Sequence, residues 1–310
     1  GRPLLDTRLP AEASNEVLLN HLRDPEEWVR IHAKLMLQDR GVEAVLPSLQ
    51  AWTKALDPQA GDDVLRLEAL WLYEGLNQVH VPLLETLLQS SIPQVRAAAV
   101  RTVAHWIERL PQKSKYLTAA VNDEHPRVRL EAVRAWSLIP TREAAAAACL
   151  ALDRPVDRFL DFALWKTMRD LAPVWLPAVR EGKFDFGGRI DHLTFALKAS
   201  EAPGIVQPLL QLVQQDKIPA DRLPGVLSLA ASLGDAQELG AVVELLTQPN
   251  TPLTDEQKGQ VLAALADASQ LRKVQPAGSV SRIAPLLQSD SPPLQAAVAR
   301  CVGVWKAAEL

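Results

Sequence analysis

The chain has 310 residues, more than one globular core usually sustains, which leaves two domains or one elongated repeat array. Hydrophobic residues make up 48% and glycines number 14, so turn and β-branched residues are too few for a sandwich or barrel, and helices are expected. A net charge of -4 without any run of lysine or arginine argues against a general nucleic-acid binder, and no apolar stretch approaches the ~20 residues of a membrane span.

The opening Gly1-Arg2-Pro3-Leu4 reads as the interior of a longer chain and carries no signal-peptide pattern. From there four segments share one short pattern, an aliphatic residue, then Arg, then Ala three positions later. They contain Val29-Arg30, Leu65-Arg66, Val95-Arg96 and Val128-Arg129, with Ala33, Ala69, Ala99 and Ala132. The arginine spacings of 36, 30 and 33 fit a unit of two helices. Asp24-Pro25, Ile92-Pro93 and His125-Pro126 stand just before the pattern. Proline suits a first helical turn, and Asp24 and Asp123 are expected as caps. Between these second helices, apolar periodicity predicts first helices over 42–56, 81–89, 144–152, 205–213 and 239–247, with Pro47 and Pro208 implying kinks or late starts. Pro173, Trp175, Pro177 and the glycine- and phenylalanine-rich 182–188 mark an irregular stretch. A weaker copy of the pattern closes the chain, with Gln295 in the arginine position. The expected organisation is one continuous solenoid of about eight or nine helix pairs: regular repeats over 1–172, an irregular seam over 173–188 and looser repeats over 189–310.

Among candidate functional groups, the arginines are expected to form a ladder in which an acid of one repeat meets an arginine of the next, with Asp24, Asp62 and Asp123 as the acids and anion or partner binding as the alternative. Trp71, Trp106, Trp136 and Trp165 fall late in second helices and are expected in the core, a base-stacking platform being the other reading. Cys149 and Cys301 are expected as small buried hydrophobes. The six histidines do not cluster, and neither metal, haem, phosphate-loop nor nucleophile-elbow motifs occur. No catalytic, cofactor-binding or metal residue is therefore predicted. Arg101, His105 and Arg134 fall off the apolar stripe of their helices. They are the predicted partner-binding face, with replacement expected to leave folding nearly intact.

The pattern of paired helices resembles HEAT repeats, and the expected fold is an all-α, HEAT-type α-solenoid. Val64 to Asn77, Asp161 to Trp175 followed by Gly182-Lys183, and Arg272 to Gly278 resemble one family in particular, the HEAT region of PVC-type membrane-bound dehydrogenases. The likeness spans nearly the whole chain, although Phe162 and Val174 stand where that family tends to carry tyrosine. It implies a large exported bacterial protein in which a sugar-dehydrogenase-like β-propeller and often a c-type haem domain flank this region. It places redox chemistry outside this chain and implies a periplasmic or exported location. The function it implies here is a non-catalytic scaffold that binds a protein or neighbouring domains. The alternatives are a nucleic-acid-binding HEAT-like module and a HEAT-containing lyase.

Overall fold

The computed structural model describes residues 9–56, 62–200, 204, 206–278 and 280–306; Gly1-Arg2-Pro3-Leu4 and Ile205 lie outside them. The described residues form helices and connections without a strand. First and second helices alternate. The pairs are α1 (Asn15–Asn20) with α2 (Glu27–Arg40), α3 (Val42–Lys54) with α4 (Asp63–Gly75), α5 (Val81–Leu88) with α6 (Pro93–His105), and α7 (Lys113–Val121) with α8 (Pro126–Trp136). Then follow α9 (Arg142–Cys149) with α10 (Arg158–Asp170), α11 (Ala172–Arg180) with α12 (Ile190–Ser200), α13 (Val206–Gln214) with α14 (Leu223–Leu233), and α15 (Ala236–Thr247) with α16 (Asp255–Arg272). The 3-10 segment Val280–Gln288 precedes α17 (Pro292–Trp305). By proximity the chain forms two compact units, residues up to Pro140 with Ala147–Thr167, and Thr141–Ala146 with the residues from Met168 onward.

In the first unit one lock recurs at the mouth of the second helices. Asp24 Oδ1 accepts the Glu26 N–H at 2.9 Å, Ser90 Oγ that of Ile92 at 3.1 Å, and Asp123 Oδ1 that of His125 at 2.8 Å. Six residues on, a guanidinium reaches back to the carbonyl of the same turn residue: Arg30 to Asp24 at 2.8 Å, Arg96 to Ser90 at 2.8 Å, Arg129 to Asp123 at 2.9 Å. The turn is thereby tied to the helix it feeds, and backbone groups with no helical partner are satisfied. In the second unit Ser289 and Gln295 repeat the lock at 3.1 Å and 2.8 Å, which explains how glutamine substitutes for arginine there. Asp24 and Asp123 are thus not helix caps. Glu26 and His125 occupy the cap positions, and His125 Nδ1 accepts the Arg127 N–H at 3.2 Å.

The pattern residues behind the locks face the core. Val29, Val95 and Val128 are buried, and Ala33, Ala69, Ala99 and Ala132 are sealed at close helix contacts. Leu65 departs from this and is only partly covered. Trp106 and Trp136 are buried.

In the second unit Pro173 occupies the first turn of α11 and Pro177 lies inside it, so the irregular backbone is confined to 181–189. There Phe186, Gly187 and Gly188 take positive φ values of 56°, 69° and 72°. The loop is held by an aromatic plug: Phe186 meets Trp175 edge-on at 5.5 Å, and the Trp175 indole N–H donates to the Met168 carbonyl at 2.9 Å. Farther along, Gly240 admits the backbone of Ala277, whose carbonyl oxygen would lie 2.4 Å from any Cβ at that position.

Candidate functional site

The large apolar side chains that the described residues expose sit on second helices, with the exceptions of Val17 and Leu138. Their positions follow the arginine register. At about 100° per residue, positions two before and five after the pattern arginine fall together, roughly opposite the buried valine and alanine. On α2 these positions are Trp28 and Leu35, with Ile31 between them; on α4 they are Val64 and Trp71; all five are exposed, Trp28 to 61%. On α6 they are Gln94 and Arg101, on α8 Arg127 and Arg134, and on α10, where Asp161 stands in the arginine position, Phe159 and Lys166, again exposed. The first unit therefore presents an open stripe that is apolar on α2 and α4 and cationic on α6 and α8.

Beneath the stripe a polar ladder joins each second helix to the next. The buried Glu68 carboxylate on α4 receives Arg30 Nε from α2 at 3.0 Å and also Lys34. Glu74 on α4 accepts the hydroxyl of buried Thr102 on α6 at 2.8 Å and lies 2.5 Å from His105 Nδ1. Glu131 on α8, only 2% exposed, receives Arg101 from α6 at 2.7 Å, Arg127 at 3.2 Å and Arg134 at 3.0 Å. Thr167 on α10 donates to the Val133 carbonyl at 3.4 Å. A second rung runs behind: Arg96 grips both oxygens of Asp123 at 2.8 and 2.9 Å. Burial raises the Asp123 carboxyl, but the Arg96 guanidinium and the His125 N–H outweigh it, and the net shift is downward. Arg30, Arg96 and Arg101 each meet an acid of the following repeat, the reverse of the expected order, and Glu68 and Glu131 carry part of the role assigned to aspartates. Arg66 pairs with Asp63 at 2.7 Å rather than Asp62.

Arg101, His105 and Arg134 are exposed, as their register predicts, and the structure brings Arg101 and Arg134 together on one carboxylate while His105 joins Glu74. They are not merely solvated, because a buried acid depends on two of them. Missed by the sequence reading are Arg127 and the exposed aromatics. Trp71 was expected in the core; it stands on the open stripe with Lys34 Nζ 4.9 Å over its ring. The register held the signal: Trp71 is five residues after its arginine, whereas Trp136 is seven and Trp106 ten, which turns those two inward. Trp165 is partly covered and stacks on Phe162 at 5.8 Å.

A groove of about 640 Å³ opens beside α5 and α7, lined among others by Arg96, Lys115, Tyr116 and Asp123. Its polar groups largely answer one another: Arg96 holds Asp123, and the Tyr116 hydroxyl, pushed up to about 12 by burial and by Glu85, donates to Glu85 at 2.7 Å. Among the described residues no three His, Cys, Asp or Glu side chains gather as metal ligands, and no helix is long and apolar enough to cross a membrane.

The family model of HEAT repeats matches residues 79–163, from the turn before α5 into α10. The fold is an all-α, HEAT-type solenoid. No curated protein matches the chain. The matched stretch contains the Arg96 and Arg129 locks, the Glu131 cluster and the cationic half of the open stripe.

Proposed function

We propose that this HEAT solenoid is a non-catalytic scaffold that docks a protein partner, or a neighbouring domain of its own polypeptide, on the open face of its second helices. The observation that carries this reading is the in-register stripe of exposed aromatic and aliphatic side chains, Trp28, Ile31, Leu35, Val64 and Trp71. Exposed apolar groups that share one face of successive repeats mark an interaction surface more than a packing accident does. The residues quoted from 64–77, 161–183 and 272–278 support a parent protein of the exported, dehydrogenase-like kind, with propeller and haem chemistry in domains other than this one. Under that reading this chain binds no cofactor and its location is periplasmic or exported.

The test is a calorimetric titration of the chain with each flanking domain of its full-length gene product, repeated with Trp28→Ser/Trp71→Ser. Trp28 is exposed to 61%, so its replacement should cost stability only about 0.5 kcal/mol or less, whereas Trp71 is 36% exposed and packs under Lys34, so a melting curve must show that the double variant is folded. The expected result is binding that the double variant weakens at least tenfold. Absence of heat with every flanking domain, or equal affinity of parent and variant, would overturn the reading.

A further inference from the structure

The open stripe changes character halfway along, and the change specifies what it takes. Around Glu131 three guanidiniums, Arg101, Arg127 and Arg134, meet a single carboxylate. Glu74 also acts on Arg101, so against these two carboxylates one positive charge is left over, and the three arginines keep 48%, 54% and 61% of their side chains exposed. One repeat away, on α4 and then α2, the same register positions are Val64, Trp71, Trp28 and Leu35. We infer that the occupant of this face is an extended protein segment with an acidic half, lying over α6 and α8, and an apolar, aromatic half, lying over α4 and α2. The inference rests on the docking reading above and gives it a chemistry and a direction.

The two halves follow from different physics. Glu131 is buried and engages every guanidinium of the cluster, which holds the arginines in place while they retain donors on their exposed edges. Planar guanidiniums with free edges suit carboxylates, which they bind in a forked geometry. Being fixed by Glu131, they meet an incoming acid with little further loss of side-chain freedom. The apolar half offers two indoles and branched aliphatics, whose burial supplies affinity without regard to charge. Second helices packed at the usual ~8–10 Å spacing put α2 and α8 roughly 24–30 Å apart. An extended segment of about eight or nine residues covers that length at ~3.3 Å per residue.

The probes are dye-labelled synthetic peptides of twelve residues. All carry the same phenylalanine- and leucine-rich half; the other half is glutamate-rich, serine-rich or lysine-rich. A twelve-nucleotide oligothymidine is the fourth probe. Binding is read by anisotropy, with quenching of the protein's tryptophans marking the apolar half. The glutamate peptide is expected to bind at least tenfold tighter than the lysine peptide at low salt, with the gap narrowing severalfold in high salt. Arg127→Gln/Arg134→Gln, which leaves Arg101 on Glu131, should remove most of that preference and leave the serine peptide unchanged. A matched melting temperature confirms that this variant is folded.

Other outcomes overturn the inference in distinguishable ways. If the three peptides bind equally and Trp28→Ser/Trp71→Ser weakens them all, the face docks apolar segments without charge selection: the acidic half is wrong and the docking reading stands. Oligothymidine binding as tightly as the glutamate peptide identifies the cationic half as a nucleic-acid contact instead. If no peptide binds while the flanking domain does, the occupant is not an extended segment. If neither binds, both readings fail.

Discussion

At the scale of single residues the small positions of the second helices bear the most stringent constraint. Ala99 and Ala132 have no exposed surface. Ala132→Leu adds three carbon atoms where a neighbouring helix already lies, and should destabilise the fold by about 1–3 kcal/mol. Urea denaturation checks this, and an unchanged midpoint would show that the helices at this position are farther apart than described. The two cysteines make a second prediction at this scale. Both are buried and neither forms a disulfide, burial pushes the Cys149 thiol up, and it pushes the Cys301 thiol up to about 12. Thiolate is the reactive form. A disulfide reagent at mildly alkaline pH should therefore leave the native chain untouched and titrate both thiols once the chain is unfolded in guanidinium. Rapid labelling of the native protein would contradict the burial.

At the scale of the helix and its neighbour, charged pairs decide how repeats are joined. Asp123 holds a carboxyl below the ordinary value of 3.8, because Arg96 and the His125 N–H outweigh the upward push of burial. A carboxyl depressed by folding contributes stability that is complete above the unfolded value and lost as pH falls through the folded one. The stability difference between the parent and Asp123→Asn should therefore be full near about pH 6 and shrink progressively below about pH 4. A difference constant across that range would show that the carboxylate charge plays no part. The Glu131 cluster reverses an expectation drawn from register alone. Replacing Arg101, His105 and Arg134 together by alanine leaves the buried Glu131 with Arg127 as its remaining partner in the cluster. The triple variant should lose about 1–3 kcal/mol, the order expected when a buried charged group gives up hydrogen bonds. Adding Glu131→Gln should restore part of that loss, and a triple variant as stable as its parent would mean that water replaces the two arginines without penalty.

At the scale of the whole molecule a stack of helix pairs is stabilised by its nearest neighbours, so damage should remain local. In Ala132→Leu, amide exchange is expected to accelerate in α6, α8 and α10 and stay at the parent rate in α14 and α16. Uniform acceleration along the chain would indicate one cooperative body. Much of this architecture was legible from residues. The arginine spacing marked the second helices, the prolines marked their starts, and the same register, followed to the positions two before and five after each arginine, contains the open stripe. Helical angle is a local property that sequence fixes, so Trp71 was readable as exposed once its offset was compared with those of Trp106 and Trp136. The second half was less legible. With the arginine gone, apolar runs such as Leu223–Leu233 on α14 place a helix without saying which side faces out.

What the sequence determined by itself is the helical class, the two-helix period and the outward direction of Arg101, His105 and Arg134, because all three depend on spacing along one chain. Tertiary structure decided the partners. That Arg101 from one repeat joins Arg134 on Glu131 of the next, and that Arg96 takes Asp123 from the following repeat, depend on distances between segments some 30 residues apart. A side chain's angle about its own helix is set by 3.6 residues per turn, but the group it meets is set by how far and at what height the next helix packs. That height is a property of the stack and is not written in either helix alone.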